Sequence, residues 1–395
     1  MMNRHEVAIT GIGCICPLGF SPGDLSATLR DGHPAIAEIE AFDTGAYACR
    51  FGAEVGGFDL MDFIESKKTY LDRTASFALA ACAAALKDAH WQGDESAGLI
   101  LGTAWGCMGS LELFAEKLIG GNPKFVSPLP FTHSYANAPN SLAAIEFKLR
   151  GFNACFTCGH TSGMGAIECA CQRIELGKDT RLLAGGAEAL SEPVFHGYDL
   201  FDWLNPTGEP RPYDPTSGGM VLGEGAAVFA LEDGEMARER GATVFARVAG
   251  HSSACGATLA EGLERSMCRA LADACLLPDA VDLVVGVGCG VPEIDGEEVA
   301  ALRSVFGEAR PRVTSLRRML GEPMGAGGPI SLAAVLVSCL EDRCIPPVAL
   351  GDVPVPEGID LVVGDPREAD VRVAVVNAAD PSGGCSSLVI SFPNN

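Results

Sequence analysis

The chain has 395 residues, 28 Lys+Arg against 51 Asp+Glu, a formal net charge of −23 and an isoelectric point near 4.6. A surface this acidic repels phosphate backbones and anionic lipid, which excludes nucleic-acid and membrane-surface roles. Apolar residues make up 48% and charged residues 20%, so the chain fills a large core, and its length suggests two or three domain-sized units.

Taken in chain order, short β-rich runs alternate with helical stretches. Residues 6–14 (EVAITGIGC) read as a strand ending in glycines, 69–90 as a helix rich in alanine, and 98–102 as a buried strand. Residues 151–156 predict a strand. Residues 163–176 predict a helix with Met164, Ile167, Cys171 and Ile174 at helical spacing. Strands follow at 181–187 and 225–232, then a charged surface helix at 233–240. The order then begins again: strand 244–250, helix 262–276, strand 281–288, a short extended piece 311–316, an apolar helix 328–341, and strands 371–377 and 386–392. This repetition predicts an α/β fold of two matching halves, 1–240 and 241–395, with buried sheets and helices on both faces.

The 16 cysteines sit inside apolar segments, for example at Cys82 and Cys339. They read as small buried hydrophobes of a reduced cytosol. The first ten residues lack an apolar signal core, so a cytoplasmic location is expected. The longest strongly apolar run, 329–340, suits a core helix and is too short to span a bilayer.

Chemistry concentrates at 153–168 (NACFTCGHTSGMGAIE), where a strand ends near Cys158-Gly159 and a helix begins near Ser162. A side chain at such a junction sits over free backbone N–H groups and the positive end of a helix dipole, which favour a thiolate or an oxyanion. His160 occupies that place, either as a working group or as a satisfied buried histidine. Two further readings compete. Cys155-x-x-Cys158 is a possible metal or redox pair, but both cysteines are placed in the strand, on opposite faces, and no second pair completes a zinc site. The stretch 159–163 (GHTSG) imitates a nucleophile elbow around Thr161, which needs a downstream histidine, and only His196 and His251 follow.

Three blocks carry a family resemblance: GGAEA at 185–189, RPYD at 211–214, and GGMVLGEGAAVFALE at 218–232. On them the whole chain resembles the β-ketoacyl synthases of fatty-acid and polyketide assembly, which implies a thiolase-like fold of two duplicated βαβαβαββ halves in layers. The family takes an acyl chain on a cysteine and uses two histidines in decarboxylative condensation. On this chain the nucleophile position falls on His160, the first histidine on Val287, the second on Glu322, and the family lysine on Arg317. Asn377 is kept, but residues 380–383 (DPSG) replace the gating loop that follows it. Independently of register, the seven histidines end at His251, so neither family histidine is present in the second half. A pair between Glu322 and Arg317 or Arg318 is expected to repair the vacated site.

The resemblance therefore points to the chain-length factor of type II polyketide systems, an inactive homologue that pairs with an active ketosynthase. It implies an interface strand at Phe152, Asn153, Ala154, Cys155 and Phe156. It also implies an acyl tunnel shaped by Trp105, Met108, Leu111 and Phe114, with His133 near the partner's pocket. Neither cofactor nor metal is implied. An acyl carrier protein would be met through the complex, since acidic carriers dock on basic patches. The alternatives are altered chemistry at His160, as a decarboxylase or acyltransferase, and a self-paired acyl-binding scaffold.

Overall fold

Residues 4–91, 95–348 and 354–393 are described by the computed structural model of the chain. Strand β1 (Val7–Ile15) is buried along its whole length. Its glycines lie within the strand rather than ending it. A Cβ on Gly13 would stand 1.9 Å from the Ala81 carbonyl oxygen, so helix α1 (Arg73–Asp88) can lie on β1 only because the side chain is missing. The N-terminal set continues through β2 (Gly98–Gly102), α2 (Met108–Gly120), β3 (Asn153–Phe156), α3 (Ser162–Glu175), β4 (Arg181–Glu188), α4 (Glu192–Asp199) and β5 (Gly225–Asp233).

The second set repeats it with β6 (Ala246–Cys255), α5 (Leu259–Asp273), β7 (Leu283–Val285), α6 (Pro292–Phe306), β8 (Arg312–Thr314), α7 (Gly327–Val337), β9 (Val373–Ala379) and β10 (Gly384–Ser391). The spatial orders are β3-β2-β4-β5-β1 and β8-β7-β9-β10-β6, with the same parallel and antiparallel pairings in each. The duplication seen as a pattern in the sequence is thus present in the topology. The two sets join: β1 pairs with β6 at Val7–Val248, Ala8–Arg247 and Ile9–Ala246, and with the two-residue strand Asp360–Leu361 beside β8 they make one sheet of 11 strands among the described residues.

Alternating side chains along these strands divide the core into layers. Ile100, Ala184, Leu283, Val285, Ala374, Val376 and Leu388 face a cluster that contains Met164 and Ile167 of α3 and all of the larger apolar residues of α7. Leu99, Leu101 and Leu183 face α1 instead. Val284, Val375 and Val389 face α5 and α6. Helices α3 and α7 therefore fill the middle layer. This explains why every residue of α7 is buried and why its sequence has no polar face. Beyond Val337 the chain continues as a π-helical turn, Ser338–Asp342, and the side chains of 341 and 342 lie outside the described residues.

One buried ion cluster welds the two sets. His251 of β6 lies between Glu175 (Nε2 to Oε1, 3.2 Å) and Glu168 (Nδ1 to Oε1, 3.7 Å), both on α3. Burial pushes the imidazole pKa down, but the two glutamates beside it outweigh that and hold the pKa up at about 9. Such a raised folded value stabilises fully below the unfolded pKa, near 6.5, and the contribution fades as pH rises through about 9. Denaturant titrations from pH 6 to pH 10 should therefore show on the order of 3 kcal/mol of stability lost over that window, and His251→Gln should flatten the profile. Parallel profiles for the two proteins would contradict this.

Candidate functional site

The segment after β3 turns through a short 3-10 helix, Gly159–Thr161, into α3. Cys158 lies beyond the end of the strand, not within it, and is exposed, whereas Cys155 is half-buried in β3. The turn is closed locally. The Cys158 N–H donates to Ser162 Oγ at 2.7 Å, and the Thr161 hydroxyl donates to the Cys158 carbonyl at 2.8 Å. The elbow reading fails on its partners: His196 packs against Tyr47, and His251 is held between glutamates. Cys155 and Cys158 join no metal-capable cluster either. Among the described residues the one such group is Glu175, His251 and Asp273, and Arg4 already bridges the two carboxylates.

His160 is buried in the floor of a cavity of about 530 Å³. Trp105, Met108, Tyr198, Phe201, Trp203 and Asp380 supply much of its wall. Three contacts define the imidazole's surroundings. Its Nε2 is hydrogen-bonded to the Tyr198 hydroxyl at 2.5 Å, its Nδ1 lies 3.7 Å from Glu322 Oε1, and its own backbone N–H donates to Asp380 Oδ2 at 3.0 Å. Burial, then the charges of Glu322 and Asp380, push the Tyr198 phenol far up, so it stays a neutral hydroxyl. Burial also pushes the Asp380 carboxyl up. Hydrogen bonds from Ser382 and from the His160 N–H outweigh that and keep its pKa below the usual range, so Asp380 is an anion at neutral pH.

Glu322 sits behind His160. Arg317 Nε donates to its Oε2 at 2.6 Å, and the Met324 N–H donates to its Oε1 at 2.8 Å. The expected repair pair therefore forms with Arg317, while Arg318 donates to the Gly32 carbonyl. Val287 is buried, and its backbone N–H is held by Glu298, whose carboxylate also accepts from Gly288 and from the Tyr213 hydroxyl. Tyr213 belongs to the RPYD block. Burial raises the Glu298 carboxyl to about 7, against those donors. The Val287 side chain offers no polar atom.

Glu188, the acid of the GGAEA block, organises the loop above the cavity. It is fully buried and accepts from Thr103 Oγ1 at 3.0 Å, from the Ala104 N–H at 2.6 Å and from the Trp105 N–H at 3.2 Å. This bracing presents Trp105, half exposed, at the cavity mouth. Of the five residues expected to shape a tunnel, Trp105 and Met108 meet His160 in the cavity, and the other three lie outside it. Phe114 packs on Phe131, Leu111 is exposed, and His133 packs edge-on against Tyr70. Phe152 precedes β3, and Asn153, Ala154, Cys155 and Phe156 form it. This strand ends the sheet with one edge unpaired among the described residues.

Sequence reasoning missed Tyr198 and the role of Asp380. Asp380 had one visible signal: an acidic residue three positions after Asn377, where the resemblance implies a gating loop. Tyr198 had none.

The Arg317–Glu322 pair is buried at both ends. Arg317→Ala should cost about 3–5 kcal/mol in chemical denaturation, because it strands a buried carboxylate. Arg317→Met combined with Glu322→Gln should recover at least half of that, since the amide still accepts from Met324. Equal losses in the two variants would contradict the charge-pair account.

Comparisons with known proteins agree with this geometry. Residues 4–237 match the model of the β-ketoacyl synthase N-terminal domain, and residues 243–351 match its C-terminal domain. The chain is 32% identical to the tetracenomycin polyketide synthase ketoacyl synthase beta subunit of Streptomyces glaucescens, covering 99% of each. It is 30% identical to a 3-oxoacyl-[acyl-carrier-protein] synthase 2 of Synechocystis, covering 95% of each. Among solved structures it matches the ishigamide ketosynthase/chain length factor with a TM-score of 0.94 at 28% identity, covering 99% of this chain and 100% of that one. With the duplicated topology, the GGAEA and RPYD blocks braced as described, and both halves matched, the chain belongs to the β-ketoacyl synthase family.

Proposed function

We propose that this chain is a non-catalytic, chain-length-factor-like subunit that pairs with an active β-ketoacyl-carrier-protein synthase in the cytoplasm and shapes the acyl tunnel. The observation that carries the reading is the Asp380 carboxylate at its core. Asp380 holds the backbone N–H of His160, while Glu322, which the resemblance sets at the place of a family histidine, is paired with Arg317. Acyl transfer develops negative charge on the carbonyl oxygen, and decarboxylation develops it on an enolate. A second anion about 4 Å away opposes either by about 4 kcal/mol, roughly a thousandfold in rate.

Other features support the pairing. Strand β3 offers an unpaired edge, which an antiparallel strand of a partner extends into one sheet. Residues Phe152 to Phe156 are the proposed contact. Exposed apolar side chains at Ile119, Phe125, Phe131 and Tyr135 suit a surface that a partner covers. The beta-subunit relative and the ketosynthase/chain-length-factor structure point the same way, while many relatives are condensing enzymes in their own right. We take 1–240 and 241–395 as the two halves of the subunit, their outermost residues lying outside those described. His133, Leu111 and Phe114 become tunnel walls only once the partner is in place, and the acyl carrier protein docks on that partner. No cofactor or metal enters this reading.

One observation favours chemistry at His160 instead: its hydrogen bond to Tyr198 in the cavity wall. That reading needs a free donor for the oxyanion, and Asp380 occupies the nearest one.

Co-expression with the ketosynthase encoded nearest its gene, read by native mass spectrometry, should give a one-to-one complex. A tight homodimer that ignores that ketosynthase would overturn the proposal. In the active pair, Trp105→Ala should shift products longer by about one extension unit, measured by mass spectrometry of released acids. An unchanged distribution would remove Trp105 from the tunnel.

A further inference from the structure

The turn that joins β9 to β10 is built to deliver one carboxylate. The Asp380 N–H donates to the Gly384 carbonyl at 2.7 Å, the Gly383 N–H donates to the Asp380 carbonyl at 2.8 Å, and Gly383 has φ +96°. Within this turn Ser382 donates to Asp380 Oδ1 through both its N–H (2.9 Å) and its hydroxyl, which leaves Oδ2 aimed at α3. There Oδ2 takes the His160 N–H at 3.0 Å. The neighbouring polar groups of the α3 turn are already used internally: Cys158 N–H by Ser162, and the Gly159 carbonyl by the Ser162 hydroxyl at 2.6 Å. The His160 N–H, by contrast, leaves the turn, and Asp380 takes it.

Gly159 shows that the arrangement is mutual. A Cβ there would stand 1.9 Å from Asp380 Oδ2, and Gly159 has φ +63°. No side chain at 159 is compatible with the carboxylate in its present place. A glycine at 159 and an acid at 380 lie 221 positions apart in sequence and meet over the same backbone N–H.

We propose that Asp380 is a second lock on the site, one that acts independently of the missing nucleophile by occupying with its own anion the donor that a tetrahedral oxyanion would use. This rests on the non-catalytic reading of the chain. It adds that restoring a thiol at position 160 is insufficient for acyl transfer while Asp380 remains. The step it blocks is balanced. The introduced thiolate adds to a thioester carbonyl and forms a carbon–sulfur bond. The resulting oxyanion collapses and breaks the bond to the coenzyme thiol. That thiol leaves with the proton the introduced thiol gave up. Asp380 opposes the thiolate in both acylation and alkylation but the oxyanion in acylation only, so the excess of the acylation gain over the alkylation gain reports the lock.

The test uses the full chain, with hexanoyl-coenzyme A as acyl donor and iodoacetamide as a probe that alkylates a thiol without an oxyanion. The variants are His160→Cys, His160→Cys with Asp380→Gly, and His160→Cys with Asp380→Asn. The asparagine variant keeps the turn and the acceptor but removes the charge, and so guards against loss of folding in the glycine variant. Intact mass of this chain reports acylation at position 160, with tryptic mapping separating it from the other cysteines. The expected result is at least a hundredfold faster acylation when Asp380→Gly is added, an intermediate gain for Asp380→Asn, and less than a tenfold change in alkylation. Acylation of His160→Cys within tenfold of both double variants overturns the lock, as does a gain in alkylation equal to the gain in acylation. Acyl transfer to position 160 of the unsubstituted chain would instead contradict the non-catalytic reading, so the two failures are distinguishable.

Discussion

The hydrogen bond from the His160 N–H to the Asp380 carboxylate decides what the cavity above α3 can do. A strand-to-helix junction of this kind presents a donor and a favourable dipole to negative charge. In this chain that charge is built in. Glycine at 159, the turn geometry around Gly383 and the depressed titration of Asp380 all follow from placing an anion there. Behind it, Glu322 is paired with Arg317, so Asp380 supplies the anion of the cavity floor beside one imidazole.

The same physical rule recurs through the molecule. Glu188 braces the Trp105 loop with three donors, and Glu298 and Asp295 gather the backbone N–H groups of residues 287–290. Buried carboxylates that accept several N–H groups hold loops that carry few apolar contacts of their own. In a chain of net charge −23, this use of acids inside the fold separates structural carboxyl groups from those that merely cover the surface.

Much of the fold was legible because buried strands and helices announce themselves as apolar runs. The repeated order of elements was visible, and α7 was recognisable from its lack of any polar face. The role of Gly13 was not, because it depends on where α1 lands. The Arg317–Glu322 pair was foreseeable because its members are five positions apart on one short stretch. The weld at His251 and the contact of Asp380 with His160 were not, since each joins residues at least 76 positions apart. His160 itself was found from its place at the junction. Of the residues expected to shape a tunnel, Trp105 and Met108 share its cavity, while Leu111, Phe114 and His133 lie outside it.

The central claim is that the chain contributes shape and not chemistry. The most direct measurement is turnover of malonyl-carrier protein by the reconstituted pair, comparing His160→Ala in this chain with loss of the nucleophile in the partner ketosynthase. The account predicts that the first variant keeps product formation within a few-fold and the second abolishes it. Loss of turnover in His160→Ala, with the pair still assembled, would contradict it.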